Sequence, residues 1–450
     1  MFGAGEMLIL VGVLLALVFS GVHIAVSLGA AAMLGIYLMT DDPQVVADFV
    51  GSTAYEAIRD YVFAVIPLFM LMGEFLAKCG AARDMFALIN RLTRLVPGRL
   101  AVATVLSNAV FAFVTGVSIA AAAAFSKIAY PEMKRFGYDH RFALGCIAGS
   151  ACLGMLIPPS VLMIVWGILT ETSIGDLFLA GVLPGFLLVF FYVCYIIGAS
   201  LLRPALVGAA PRAGPSGEIS ASDGTGAAGD IAVGRALLST LLVILLVAGT
   251  LGGIWLGFFT PTEGAGVGAA AALLLAVGKG LRAREIGEAI LSVGRTSAPL
   301  LLLLVTAQLY SRVLTMTGFT RAAQDFLLGT GMGVAGILLF MILIWFVLGC
   351  IIDSISIMLL TVPIFAPIAA AAGLDPLAFA IIGIIAVETG LLTPPFGILV
   401  FTVKAAIPDE PVSVGQIFWA ATPYWIALLA TITVLAVFPQ VATFLPQLLK

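Results

Sequence analysis

Apolar runs long enough to cross a bilayer follow one another along almost the whole chain, and this feature decides which folds are open to it. A transmembrane helix needs about 17 to 25 mostly apolar residues. Stretches of that kind cover 6 to 20, 23 to 39, 61 to 78, 177 to 201, 235 to 257, 263 to 279, 297 to 315 and 416 to 438. Backbone amides and carbonyls in hydrocarbon must find partners within the protein, so successive runs of this composition fold as helices. With 62% of 450 residues hydrophobic and 10% charged, the chain lies far from soluble domains, in which roughly a quarter of residues are charged. No stretch is left for an attached soluble catalytic domain of ordinary size. The net charge of -3 comes with no basic face or tail, which argues against nucleic acid as a partner. Cys79, Cys146, Cys152, Cys194 and Cys350 are scattered without metal-ligand spacing and read as free thiols, mostly buried. The first apolar run, Met7 to Phe19, follows no basic region and precedes no small-residue cleavage site, so it reads as a retained span.

Two regions, 100 to 170 and 332 to 407, are apolar but crowded with Gly, Pro and hydroxyl residues, and they match each other. Gly154-Met-Leu-Ile-Pro158-Pro159 corresponds to Gly390-Leu-Leu-Thr-Pro394-Pro395 at an offset of 236, which also pairs Ser118 with Ser354, Pro131 with Pro367, Gly137 with Gly373 and Asp139 with Asp375. Farther upstream, Gly80-Ala-Ala-Arg83 resembles Gly318-Phe-Thr-Arg321. The pattern predicts an internal duplication, with units 1 to 203 and 235 to 450 joined by a Gly-, Ala- and Ser-rich linker at 204 to 234. Lys and Arg cluster at 78 to 99 and at 134 to 141, but the turn 370 to 378 has none. The positive-inside rule then puts the basic turns and the linker in the cytoplasm and the matching second turn on the opposite side, which makes the repeats inverted. The expected fold is all-α and polytopic, about ten transmembrane helices plus two re-entrant hairpins.

The chemistry concentrates at the interruptions. Tandem prolines remove amide donors and clash with the preceding turn, so Pro158-Pro159 and Pro394-Pro395 should each unwind a helix, within 141 to 170 and 377 to 407. Carbonyls freed in this way are ligands for a hard cation; a simple kink is the competing reading. The segments 100 to 132 and 332 to 368 read as re-entrant hairpins whose tips lie beside the breaks. Ser107, Asn108, Thr115 and Ser118 supply oxygens in the first, and Ser354, Ser356 and Thr361 in the second. Each of these hydroxyls can equally serve packing or bond its own backbone.

Charged groups within spans are costly and mark ion pathways. Asp353 falls at the second tip and Glu388 just before the second break, where together they would balance one cation, with Thr389 and Thr393 completing its shell. Glu388 pairing with another side chain stands as the alternative. The 236 offset relates them to Val117 and Cys152, so the first half must coordinate with neutral oxygens. Glu263, after Thr260-Pro261-Thr262, reads as a helix cap, and Lys127, Arg312 and Lys404 as snorkelling to an interface. With only His23 and His140, and no His-x-x-x-His pair, Gly-x-Ser-x-Gly elbow or Walker loop, an intramembrane enzyme is disfavoured.

The segments Gly149-Ser150-x-x-Leu-Gly154-x-Leu-Ile-Pro158-Pro159-Ser160, Phe259-Thr260-Pro261-Thr262-Glu263 and Asp353 through Pro367, with the second Pro-Pro break, resemble the large membrane subunit of tripartite ATP-independent periplasmic (TRAP) transporters. The resemblance implies a bacterial inner-membrane protein that imports organic acids on a sodium gradient, with no other cofactor. It also implies a small four-helix membrane subunit and a periplasmic substrate-binding protein as partners, in addition to membrane lipid, and an elevator-type movement of hairpins and broken helices against a scaffold. Carried onto this sequence, it puts one sodium site at Thr115, Gly116 and Ser118 with Gly149, Gly154 and Pro158. The other falls at Asp353 and Ser354 with Glu388, Thr389 and Thr393, and substrate lies near Ser118, Ser160, Ser356 and Thr393. A self-sufficient dicarboxylate or arsenite transporter of similar architecture is the rival expectation.

Overall fold

The computed structural model describes residues 4 to 208 and 227 to 449. The first half opens with α1 (Ala4–Phe19), α2 (Ile24–Thr40), α3 (Pro43–Arg59), α4 (Val65–Lys78) and α5 (Ala81–Leu92). A hairpin of α6 (Arg99–Thr115) and α7 (Ser118–Arg135) follows. Next come the interrupted run α8 (His140–Ala151), α9 (Leu153–Leu156) and α10 (Val161–Thr170), and the long α11 (Ile174–Leu202). The second half runs through α12 (Ala227–Trp255), α13 (Pro261–Gly278), α14 (Ala283–Thr317) and α15 (Phe319–Gly329) to a hairpin of α16 (Gly333–Gly349) and α17 (Ser354–Ala371). It closes with the interrupted pair α18 (Pro376–Gly390) and α19 (Ile398–Ala406), then α20 (Val414–Val437) and α21 (Gln440–Leu448).

The protein is thus an all-α polytopic membrane protein. Among the described residues there is no strand, and eight helical runs are long and apolar enough to span a bilayer. Burial sorts the helices into an inside and an outside. Every residue from Phe142 to Gly167 and from Ala378 to Thr393 is buried, so the interrupted helices form the centre. Around them α16 packs on α18, α20 on α8, α13 on α4 and α14 on α2. Large apolar side chains such as Leu8, Ile58, Leu274 and Trp419 are exposed on the periphery, as lipid-facing positions must be.

The duplicated Gly-x-Asp sequence is a turn and a cap. Gly137 and Gly373 take left-handed φ of 74° and 83°. Asp139 then accepts the Phe142 amide at 2.9 Å, and Asp375 accepts the Leu377 and Ala378 amides at 3.0 and 2.9 Å, starting α8 and α18. Each such cap stabilises its helix by about 1 kcal/mol. The expected Glu263 cap forms a capping box with Thr260.

Several expectations need correction. The acidic stretch after Asp41, which the hydropathy of the sequence leaves unassigned, forms α3, with Asp42 as its cap and Pro43 in its first turn. The run expected at 297 to 315 begins at Ala283: α14 has 35 residues and, at 1.5 Å per residue, is about 52 Å long, which leaves its charged first turns outside the hydrocarbon. Arg312 does not snorkel; it donates to Thr53 and Glu56 of α3 at 3.1 and 2.5 Å. Lys404 donates to the Pro408 and Glu410 carbonyls. Cys194 is exposed and Cys79 half-buried, while Cys146, Cys152 and Cys350 are buried, all five as free thiols. Of the expected linker, 204 to 207 is a short 3-10 helix and α12 begins by Ala227, while 209 to 226 lies outside the described residues.

Candidate functional site

The two hairpins meet on one carboxylate. Ser118, the first residue of α7, donates its hydroxyl to Glu388 Oε2 at 2.6 Å, and Ser354, the first residue of α17, donates to Glu388 Oε1 at 3.1 Å. Glu388 is 1% exposed. Cys152, its partner by the 236 offset, donates its thiol to the Glu388 backbone carbonyl at 3.8 Å. Two residues paired by the 236 offset therefore touch each other, and a second such pair, Ser118 and Ser354, grips one side chain from both sides. The N-termini of α7 and α17 both begin at this carboxylate, and their partial positive charge favours an anion there.

Each tip is also stitched to its break. The Val161 amide donates to the Gly116 carbonyl and the Phe396 amide to the Cys350 carbonyl, both at 3.2 Å. Backbone groups released by the prolines are thus partly consumed by the hairpins, and the Gly116 carbonyl is already occupied. Gly116 takes φ 61°, and a Cβ there would stand 2.3 Å from the Pro159 carbonyl oxygen, so only glycine fits. In the second half Gly390 lies against Gly349, where a Cβ would stand 2.5 Å from the Gly349 Cα, so α16 and α18 cross backbone to backbone.

Asp353 does not join Glu388. Its carboxylate caps α17, accepting the Ser356 amide at 3.0 Å and the Ser356 hydroxyl at 2.5 Å. With Ser356 it lines a cavity of about 290 Å³ against the α1–α2 turn at Gly21, Val22 and His23. The two acids thus belong to neighbouring but separate environments. Thr393 reaches Cys350 Sγ at 3.0 Å and donates to the Gly390 carbonyl at 2.9 Å, while Thr389 and Thr115 bond carbonyls of their own helices at 2.7 and 3.2 Å. Ser160 caps α10, accepting the Met163 amide and donating to the Met155 carbonyl. Gly154 lies against the Ser118 amide at the first tip and Pro158 is buried in the break, but Gly149 is covered by the Tyr424 ring of α20.

Other polar groups cluster behind the first tip. Asn108 donates to Ser150 at 2.6 Å, and among the described residues its Oδ1 and the Ser107 hydroxyl are buried without partners. Thr361 accepts from the Trp345 indole at 2.7 Å, and Trp345 packs at a tilt against Trp166 and Phe379 at centroid distances of 6.0 and 5.2 Å, joining α10, α16 and α18. Sequence reasoning passed over Cys152, Ser150 and this tryptophan pair. For Cys152 the signal existed, since the offset already paired it with Glu388.

Comparison with known proteins agrees with this architecture. Residues 11 to 441 match the family model described as the tripartite ATP-independent periplasmic transporter, DctM component. The chain belongs to this family. It is 34% identical to the C4-dicarboxylate TRAP transporter large permease protein DctM of Pseudomonas aeruginosa, over 94% of each chain. It is 27% identical to the sialic acid TRAP transporter large permease protein SiaM of Vibrio cholerae, over 96% of this chain and 97% of that one. Among solved structures it resembles the YdaH transporter of Alcanivorax borkumensis, with a TM-score of 0.63 at 14% identity over 96% of this chain and 98% of that one, a likeness of fold. TRAP membership and the run of apolar helices make it a multi-pass inner-membrane transport permease.

Proposed function

We propose that this TRAP permease forms the translocation path for sodium-driven uptake of a small organic acid anion, with both hairpins and both broken helices moving elevator-fashion against the remaining helices. The observation that carries the reading is the Glu388 carboxylate, buried at the meeting point of both tips and held there by two neutral hydroxyls. A lone carboxylate is costly at membrane depth, and a hard cation with oxygen ligands balances it. Around it Ser354, Thr389 and Thr393, with Asp353 nearby at the same tip, would form the charged sodium site. Thr115, Gly116 and Ser118 with Gly154 and Pro158 would form the neutral one, Gly149 contributing through its backbone. Substrate would lie between the tips, near Ser118, Ser160, Ser356 and Thr393, where the start of α17 favours an anion. The word tripartite in the family description supports two partners: a small four-helix membrane subunit and a periplasmic substrate-binding protein. The basic turns at 78 to 99 and 134 to 141 support an inverted arrangement with those turns in the cytoplasm.

The test is uptake of a panel of organic acids into proteoliposomes holding the reconstituted complex. Accumulation is expected only with an inward sodium gradient and the binding protein together. Accumulation without the gradient would contradict sodium coupling, and accumulation without the binding protein would favour a self-sufficient carrier.

A further inference from the structure

We propose that α5 and the turn after it form a binding surface for the headgroups of anionic phospholipids. Arg83 and Arg91 lie on one side of α5, separated by about 80° of helical rotation, and Arg94 follows in the next turn; all three are exposed. None of the three side chains has a hydrogen bond, ion pair or ring contact with a described residue. Cations around them behave differently. Lys78 pairs with Glu288 at 3.6 Å, Lys279 with Asp84 at 2.5 Å and Arg284 with Glu288 at 3.0 Å, while Arg99 lies over the Phe136 ring at 4.8 Å. The nearby acids are therefore engaged by other cations, and the arginine side of α5 carries uncompensated positive charge.

Leu92, the last residue of α5, and Leu95, which follows Arg94, are 74% and 88% exposed. The opposite side of α5, formed by Ala81, Ala82, Met85 and Phe86, is buried and fixes the helix to the protein. Leucines exposed beside arginines suit a membrane interface, where the apolar side chains enter the acyl boundary and the guanidinium groups reach the phosphates. Guanidinium also matches phosphate oxygens two at a time. The counterpart helix α15 shows that the stripe is not a residue of the duplication. Arg321 matches Arg83, but Gly329 and Met332 occupy the positions corresponding to Arg91 and Arg94.

The experiment titrates the purified full chain, in neutral detergent, with phosphatidylglycerol or phosphatidylcholine and counts bound lipid by native mass spectrometry. Phosphatidylglycerol is expected to bind the unaltered chain. The variant Arg83→Gln/Arg91→Gln/Arg94→Gln should bind it at least tenfold more weakly, since each basic residue near an anionic surface contributes roughly fivefold. Equal binding of phosphatidylglycerol by both proteins, equal binding of phosphatidylcholine, or full displacement by inorganic phosphate would overturn the proposal. Should the triple variant fail to insert, the unaltered chain still decides it. Raising salt to about 0.5 M, where screening is nearly complete, must release the lipid, and salt-independent binding would overturn the assignment.

Discussion

The two Pro-Pro breaks have the same sequence motif and opposite access. Pro158 and Pro159 sit within a stretch buried without interruption, with α11 laid over them so closely that Gly181 meets the Leu156 carbonyl and Gly185 the Ile157 side chain. Pro394, Pro395 and Phe396 reach the surface, Phe396 being 57% exposed. The tips differ in parallel. The first turns through Gly116 and Val117 with no charge, while the second runs from Cys350 to Asp353 and ends on a carboxylate. Equal local chemistry has thus produced a sealed, neutral half and an open, acidic half. What separates them is the covering helix and three side chains, Asp353, Glu388 and Cys152.

The largest test of this contrast is Gly116→Val. Left-handed backbone and a Cβ pressed on the Pro159 carbonyl together cost about 3 kcal/mol or more, so the thermal-unfolding temperature of the purified protein should drop by about 3 °C or more. Ile352→Ala, at the position equivalent by the 236 offset, has no such backbone demand and should shift it much less. Next come the hydroxyls on Glu388. A hydrogen bond to a charged group contributes about 1.5 to 3 kcal/mol, and the Ser118 bond is the shorter, at 2.6 against 3.1 Å. Ser118→Ala should therefore destabilise more than Ser354→Ala; a reversed order would mean that the first tip is not the tighter half.

Asp353→Asn sharpens the acidic half. Asparagine caps nearly as well as aspartate, so stability should change by less than about 0.5 kcal/mol, while sodium-driven uptake should be lost with the charge. Undiminished uptake would reduce Asp353 to a helix cap. The smallest effect lies outside the membrane-spanning helices. Lys134, 2.6 Å from Glu410, holds that carboxyl below its ordinary value of 4.5. A depressed folded pKa gives stability that is present above the unfolded value and is lost as pH falls through the folded one. The tie between the α7 end and the α19–α20 loop should thus weaken only below about pH 4.5, and Lys134→Ala should remove that acid-side loss from a thermal-unfolding profile.

Much of this was legible in the sequence, for identifiable reasons. Hydropathy marks spans because lipid enforces it, and the duplicated Gly137/Gly373 and Asp139/Asp375 marked turns and caps because those roles demand particular residues. The α3, α5 and α15 helices were missed because they are amphipathic rather than apolar throughout, and α5 and α15 are also short, although Asp42-Pro43 was a readable start signal. The Asp353 and Glu388 pairing did not form for a local reason. Asp353 and Ser356 are spaced as a helix cap, and the α17 amides claim that carboxylate before any distant partner. That Glu388 would instead gather serines from both hairpins depended on tertiary approach across 270 residues, which no local pattern encodes.

In the function proposed above, the Glu388 carboxylate joins both tips into one charged site. Sodium-gradient uptake by the reconstituted complex carrying Glu388→Gln is the decisive test. Glutamine keeps the shape and an acceptor oxygen but removes the charge, so the protein should insert and unfold near the normal temperature while sodium-driven accumulation falls to background. Uptake with unchanged rate and sodium dependence would contradict the claim.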